Sequence, residues 1–317
     1  MKIFTNPNYD FVRWRWHAIA LSLVVILAGA FMIATRGLQK GVDFEGGTIV
    51  IAHFSQPTEL GRIRDLFGGD AVVQQYEDPA KNQIMIRVKR TGEEAGASLS
   101  AEADKVIGTL KQANVGNFDV IGTEIVGPVV GEQLRRQGLM ATVAAMGGIM
   151  LYIGLRFQFS FAVGAIVATL HDILICLAFL AFFRYDMTLN VIAGLLTITG
   201  YSVNDTIVIF DRVRENMRGM RRDNLTTIVN TAVNQTLSRT IITAGTTLLS
   251  VIALYLFGGE VLKGFAFTML VGIISGTYST IFIAASLAIM FQGRRPLKGQ
   301  QAPPASAPAK PNRRRAS

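Results

Sequence analysis

Six runs of apolar residues constrain this chain more than any other feature: 16–35, 139–155, 159–183, 189–210, 241–257 and 265–290. Each approaches or exceeds the roughly 20 residues that a helix needs to cross a bilayer core about 30 Å thick. A chain with six such runs cannot bury them all in one water-soluble core, so it reads as a polytopic helical membrane protein. Composition agrees, because only 17% of the 317 residues are charged, against about a quarter in soluble domains.

The net charge of +9 is unevenly placed. Between Arg36 and Arg136 there are 12 Lys/Arg against 14 Asp/Glu, whereas the remainder holds 19 against 8. The positive charge clusters at Lys2, Arg13 and Arg15, at Arg212 to Arg222 after the fourth run, and after the sixth run. The short connections on the opposite side hold only Arg184 and Lys263. That asymmetry is the positive-inside pattern, and it predicts cytoplasmic termini. The basic segments lack interleaved aromatics, so no specific nucleic-acid binding is expected. Cys176 is the sole cysteine, which excludes a disulfide within the chain. The first run exceeds a signal-peptide core in length and reads as an uncleaved signal anchor.

The expected organisation is a cytoplasmic N-terminus (1–15), a first span (16–35), a soluble domain with its junctions (36–136), spans two to six (137–291) and a disordered basic tail (292–317). In the soluble segment, strands are expected at 48–54, 71–77, 83–90 and 117–126. Helices are expected at 59–67 and 99–113, the first stopped by Gly68-Gly69 and the second capped by Ser98 or Ser100. The turn between the middle strands centres on Asp78-Pro79. The order βαββαβ is the ferredoxin-like arrangement. The fold class is therefore six transmembrane helices with one small α+β ferredoxin-like domain on the periplasmic side. That fold hosts many functions and names none. The tail would touch anionic membrane lipid or simply remain solvated.

Ionisable groups inside the spans carry the functional signal, since one at mid-helix costs about 2.5–3.5 kcal/mol on insertion scales. Asp205 sits five residues before Phe210, roughly 7.5 Å inside the apolar end of the fourth run. Its short side chain cannot snorkel, so it needs a partner, a proton or a water-filled cavity. Asn190, Gly194, Thr197, Tyr201 and Asn204 share one face nearby. Arg239 opens the fifth run at comparable depth and leads a stripe with Thr243, Thr246 and Ser250. Arg239 is read either as a headgroup-snorkelling residue or as the partner of Asp205; the facing polar stripes favour the pair. His171-Asp172, twelve residues into the third run, reads equally as a relay element or as a packing hydrogen bond. Adjacent helical residues point about 100° apart, so the two would not face one partner. The small residues Gly272 to Gly276, with Thr268 and Thr280, read as a close helix-packing face.

No P-loop, H-E-x-x-H motif or nucleophile triad is present, so no enzyme is expected. No cofactor is expected either; the energy source would be an ion gradient, one proton crossing about 150 mV releasing roughly 3.5 kcal/mol.

The string Gly200-Tyr-Ser-Val-Asn-Asp-Thr-Ile-Val-Ile-Phe-Asp-Arg-Val-Arg-Glu-Asn216 resembles the fourth-span signature of the SecD/SecF family, within the RND superfamily. Ser238-Arg-Thr240, Gly41-Val-Asp-Phe-Glu-Gly-Gly47, Val126-Gly-Pro-Val-Val-Gly-Glu-Gln-Leu134, His171-Asp172 and Gly276-Thr-Tyr-Ser-Thr-Ile-Phe282 are similar in the same way, in family order. The resemblance implies one RND-like half of six spans in the bacterial inner membrane. It implies a complex with SecD and the SecYEG channel, and use of the proton motive force on an exported preprotein. It places Asp205 and Arg239 in a proton-conducting site, with Asn204, Tyr201 and Thr243 beside them and the proton as coupling ion. The second acid is expected from SecD, whose equivalent segment carries it where this chain has Asn204. A subunit of an RND-class small-molecule or lipid exporter is the alternative, though one domain of about 85 residues leaves little room for a substrate pocket. An assembly scaffold with no ion path is a third reading.

Overall fold

The computed structural model describes residues 7–67, 71–76, 79–88, 99–126 and 128–292. Gly68-Gly69, Asp78, Ser98 and the basic tail beyond Gln292 lie outside the described residues, as does the side chain of Ser100. Six helical spans are long and apolar enough to cross a membrane. They are α1 (Arg15–Arg36), α5 (Pro128–Arg156), α6 (Phe159–Phe183), α7 (Leu189–Gly219), α8 (Leu225–Phe257) and a composite sixth. The sixth runs from α9 (Gly259–Ser279) through a π-helical turn (Thr280–Ala284) into α10 (Ala285–Gln292).

Three helices begin well before their apolar runs, or end well after them, and for one physical reason. A backbone already paired i to i−4 gains by continuing into water when its residues tolerate it. Thus α5 starts eleven positions before its run, at a proline suited to a first turn because it has no N–H to leave unpaired. Likewise α7 passes Phe210 to reach Gly219, and α8 begins at Leu225, so Arg239 sits inside a helix instead of opening one. Asn224 caps α8 by accepting from the Thr227 amide at 2.7 Å, and Thr188 caps α7 by accepting from Val191 at 3.3 Å.

Helices α6, α7 and α9 form the centre of the bundle, while α1 and α5 turn Leu23, Leu27, Phe31, Leu139, Val143 and Leu151 outward. Glycines set the close approaches. A Cβ added at Gly29 of α1 would lie 2.1 Å from Ala178 Cβ of α6, and one at Gly272 of α9 would lie 2.4 Å from Ile198 of α7. The small-residue face expected on the sixth span is therefore the surface by which α9 meets α7.

The soluble domain follows a short helix α2 (Val42–Glu45). Its elements are β1 (Gly47–Phe54), α3 (Leu60–Leu66), β2 (Ala71–Gln75), β3 (Gln83–Val88), α4 (Leu99–Gln112) and β4 (Phe118–Val126). The sheet is antiparallel in the order β2-β3-β1-β4, the ferredoxin-like arrangement. Val50, Phe54, Ile63, Ile86, Val106 and Leu110 fill the core between sheet and helices.

β1 is buried on both faces, not on one. Ile49, Ile51 and Met85 lie on the face away from the domain's helices, and that face looks onto the loop between α6 and α7. The chain at Gln39–Gly41 pairs with this loop: Met187 donates its amide to the Gln39 carbonyl and Gly41 donates to the Met187 carbonyl, both at 2.7 Å. Asp43 accepts from the Leu189 amide at 2.9 Å, at the start of α7. Buried Arg87 of β3 forms an ion pair with Asp186. A Cβ at Gly131 would approach the Gly46 amide at 3.1 Å, so the two junctions of the domain pack against each other.

Candidate functional site

Two buried carboxylates lie in the bundle, in contrasting environments. Asp205 of α7 is 6% exposed. Its Oδ1 accepts from Thr240 Oγ1 of α8 at 3.3 Å, and its Oδ2 has no hydrogen-bond partner among the described residues. The Asp205–Arg239 pair expected from sequence is not formed: no ion pair joins them among the described residues, and the Arg239 side chain is exposed. The reason is angular. Thr240 and Arg239 are consecutive on α8 and point about 100° apart, so with Thr240 turned inward to α7 the guanidinium faces out of the bundle. Thr243 is half-buried and returns its hydroxyl to the Arg239 carbonyl at 2.9 Å. Tyr201 packs half-buried against the cluster of Ile198, Ala244 and Met269. Asn204 is exposed.

The structure thus brings Asp205 to Thr240, and leaves Asn204 and Arg239 on an outward face. That face carries Thr197, Gly200 and Asn204 on α7, and Arg239, Thr246 and Ser250 on α8, all exposed. The Thr197, Thr246 and Ser250 hydroxyls return to carbonyls of their own helices, which leaves Asn204 and Arg239 as the groups that lipid tails cannot satisfy.

Asp172 of α6 is fully buried. It accepts from Ser202 of α7 at 2.6 Å and from Ser275 and Ser279 of α9 at 2.7 and 2.8 Å, and shares a 3.0 Å hydrogen bond with His171 Nδ1. The divergence expected of adjacent residues holds for their outer partners: His171 stacks on Tyr278, while Asp172 meets the serines. The side chains still bend enough to bond each other. The close approach at Gly276, where a Cβ would lie 3.1 Å from Ser202 Cβ, lets α7 and α9 bring their hydroxyls together. Sequence reasoning missed Thr240, Ser202, Ser275 and Ser279. All four lie inside strings already singled out, Thr240 in Ser238-Arg-Thr240, Ser202 in 200–216, Ser279 in 276–282 and Ser275 in the small-residue face 272–276, but nothing there pointed to their hydroxyls as carboxylate partners.

A cleft of about 530 Å³ opens between the free face of the sheet and the α6–α7 loop, lined in part by Ile51, Tyr76, Met85, Phe183 and Asn190. The expectation of little room for a pocket does not hold: this cleft is shared by the domain and the helices, and a second, of about 500 Å³, lies within the domain itself, lined in part by Phe54, Glu59, Arg62 and Asn117. No group of three or more His, Cys, Asp or Glu side chains able to hold a metal occurs among the described residues.

Fold and site define a class: a multi-pass membrane protein with a six-span bundle, a ferredoxin-like domain between its first two spans, and buried carboxylates in its third and fourth. Residues 105–294 match the family described as "Protein export membrane protein SecD/SecF, C-terminal", and residues 31–58 match the SecD/SecF GG motif. The protein translocase subunit SecF of Pseudomonas aeruginosa is 44% identical over 87% of this chain and 89% of that one. SecF of Koribacter versatilis is 36% identical over 99% of both. The crystal structure of SecDF, a translocon-associated membrane protein from Thermus thermophilus, superposes with a TM-score of 0.80 at 31% identity, over 91% of this chain. This chain spans 39% of that SecDF chain. The chain belongs to the SecF family of protein translocase subunits, a family of export components and not of enzymes.

Proposed function

We propose that this chain is one six-span half of a proton-driven export motor in the inner membrane, with cytoplasmic termini and the α+β domain in the periplasm. Its partner is a second half of SecD type, and the pair works on preproteins passing through the SecYEG channel. The observation that carries the reading is Asp205: buried, held by one hydroxyl, with one oxygen bare, beside a polar face that lipid cannot satisfy. A carboxylate in that state can take up and release a proton without dismantling a hydrogen-bond network. The exposed polar face of α7 and α8 then docks against the partner half, where Arg239 and Asn204 meet the partner's acid. That SecDF is more than twice as long as this chain leaves room for the other half. The clustering of Lys and Arg on one side supports the orientation.

Asp205→Asn tests the proposal. The amide keeps the shape and removes the titration, so the variant should insert and co-purify with SecD yet give no stimulation of preprotein export in vesicles energised with a proton gradient. Export at the parent rate would overturn the assignment.

A further inference from the structure

Asp172 lies about 20 Å along the 25-residue helix α6, near the middle of the span. A carboxylate offers about four lone-pair sites, and donors from His171, Ser275, Ser202 and Ser279 occupy all of them. The three serines donate to it, and the contact with His171 Nδ1 completes the set when the carboxylate is ionised. An ionised carboxylate only accepts; His171 Nδ1 must therefore carry hydrogen, which fixes the tautomer and leaves Nε2 as the ring's free position. That atom is buried and has no partner among the described residues. The ring itself is held in place, stacked on Tyr278, whose hydroxyl donates to the Ala18 carbonyl of α1 at 2.6 Å.

A buried carboxylate at membrane depth calls for a compensating charge. The titratable groups beside the site are His171 and Cys176 on α6 and Tyr278 on α9; Asp205, one turn beyond Ser202 on α7, bonds Thr240 of α8 instead. From α1 come the Ala18 carbonyl and Ser22, and α5 contributes apolar Met146 and Ile149 nearby. No Lys or Arg pairs with Asp172 among the described residues; its contact with His171 becomes an ion pair only when the ring is protonated. Positive charge can enter by a proton binding at Nε2.

We propose that His171 Nε2 is a second proton-holding atom of the membrane domain, set up by Asp172 and separate from Asp205. The Nε2 lone pair takes the proton to form an N–H bond, giving an imidazolium beside the carboxylate, and gives it up by the reverse step. The change is felt on both neighbouring helices, because Ser202 of α7 and Ser279 of α9 bond the same carboxylate. Ser279 immediately precedes the π-helical turn, and Thr280 within that turn shares a 3.0 Å hydroxyl contact with Thr206 of α7. Such turns inside α-helices are frequent at functional sites.

The test is spectroscopic, so its failure is distinct from a failure of the export reading. The chain, with His17→Gln and His53→Gln so that His171 is its one remaining histidine, is labelled with ¹⁵N-histidine. Solid-state NMR spectra are then recorded in lipid vesicles between about pH 5 and 9, the range where histidine charge changes. Nε2 should pass between bare and protonated positions while Nδ1 stays protonated, and the same titration should persist in Asp205→Asn. In Asp172→Asn the tautomer should no longer be fixed. An Nε2 that keeps one state across the range, a bare Nδ1, or loss of the titration in Asp205→Asn would overturn the proposal. The parent titration leaves the site's own residues unchanged, so the test survives even if Asp172→Asn fails to fold.

Discussion

Two aspartates on neighbouring helices show how partners decide what a buried carboxylate can do. Asp172, with four donors, is anchored: removing it would strand several hydroxyls, at about 1–3 kcal/mol for each buried group left unpaired. Asp205, with one hydroxyl at 3.3 Å, is free to change state. Arg239 belongs to the same question, because it stands outside the bundle on the face assigned to the partner half. Its planar fork can hold a carboxylate through two parallel hydrogen bonds, which an ammonium cannot. Arg239→Lys should therefore lower proton-driven export by about tenfold or more, the scale of a lost charge-assisted bond of about 1.5–3 kcal/mol. Full export by the Lys variant, measured in energised vesicles, would mean that only positive charge near the headgroups matters. Asp205 was legible in sequence because a short acid within an apolar run has few ways to be satisfied. Thr240 was not, because depth along the chain says nothing of which neighbour turns inward.

At the scale of elements, apolar runs located all six spans and missed where several of their helices end. Run length reports lipid contact, while helix length reports backbone pairing, and the two part company in water. The strand expected at 48–54 likewise could not disclose that β1 is covered on both faces, since its second cover comes from the α6–α7 loop, far away in sequence. Helix packing is where sequence and structure agree most closely, and Gly29 makes it testable. A Cβ there would lie 2.1 Å from Ala178 Cβ and 2.7 Å from its Cα, with no flexible atom able to yield. Gly29→Ala should push α1 from α6 and destabilise the protein by about 1–3 kcal/mol, as overpacking does. The measurement is thermal unfolding in mild detergent, with Ala178→Gly restoring much of the loss in the double variant. An unshifted transition in the single variant would show that α1 does not pack tightly on α6.

Over the whole molecule, the question is how a proton on α7 could reach a domain outside the membrane. Glycines such as Gly41, Gly46 and Gly131 stand at both junctions, yet the domain is clasped. Asp43 caps the start of α7, the same helix that carries Asp205, and the backbone at Gln39–Gly41 pairs with Met187. Arg87 and Asp186 close the clasp, and a buried Arg cannot lose its partner without a large penalty. The structure shows the clasp made, and because Asp43 bonds the first residue of α7, a displacement of that helix would act on it directly. A mechanism of this kind requires the clasp to open during export. Lys40 and Met187 are bridged across it, close enough for a disulfide when both are cysteine and Cys176 is alanine. In intact spheroplasts a membrane-impermeant oxidant should form the bond, because the clasp lies on the periplasmic side of the proposed topology. Proton-driven export should then stop, and an impermeant reductant should restore it. Failure of the impermeant reagents to reach the pair would reverse the orientation. Export at the normal rate with the bond demonstrably formed would mean that the clasp never opens, and that Asp205 acts on the channel through the helices alone.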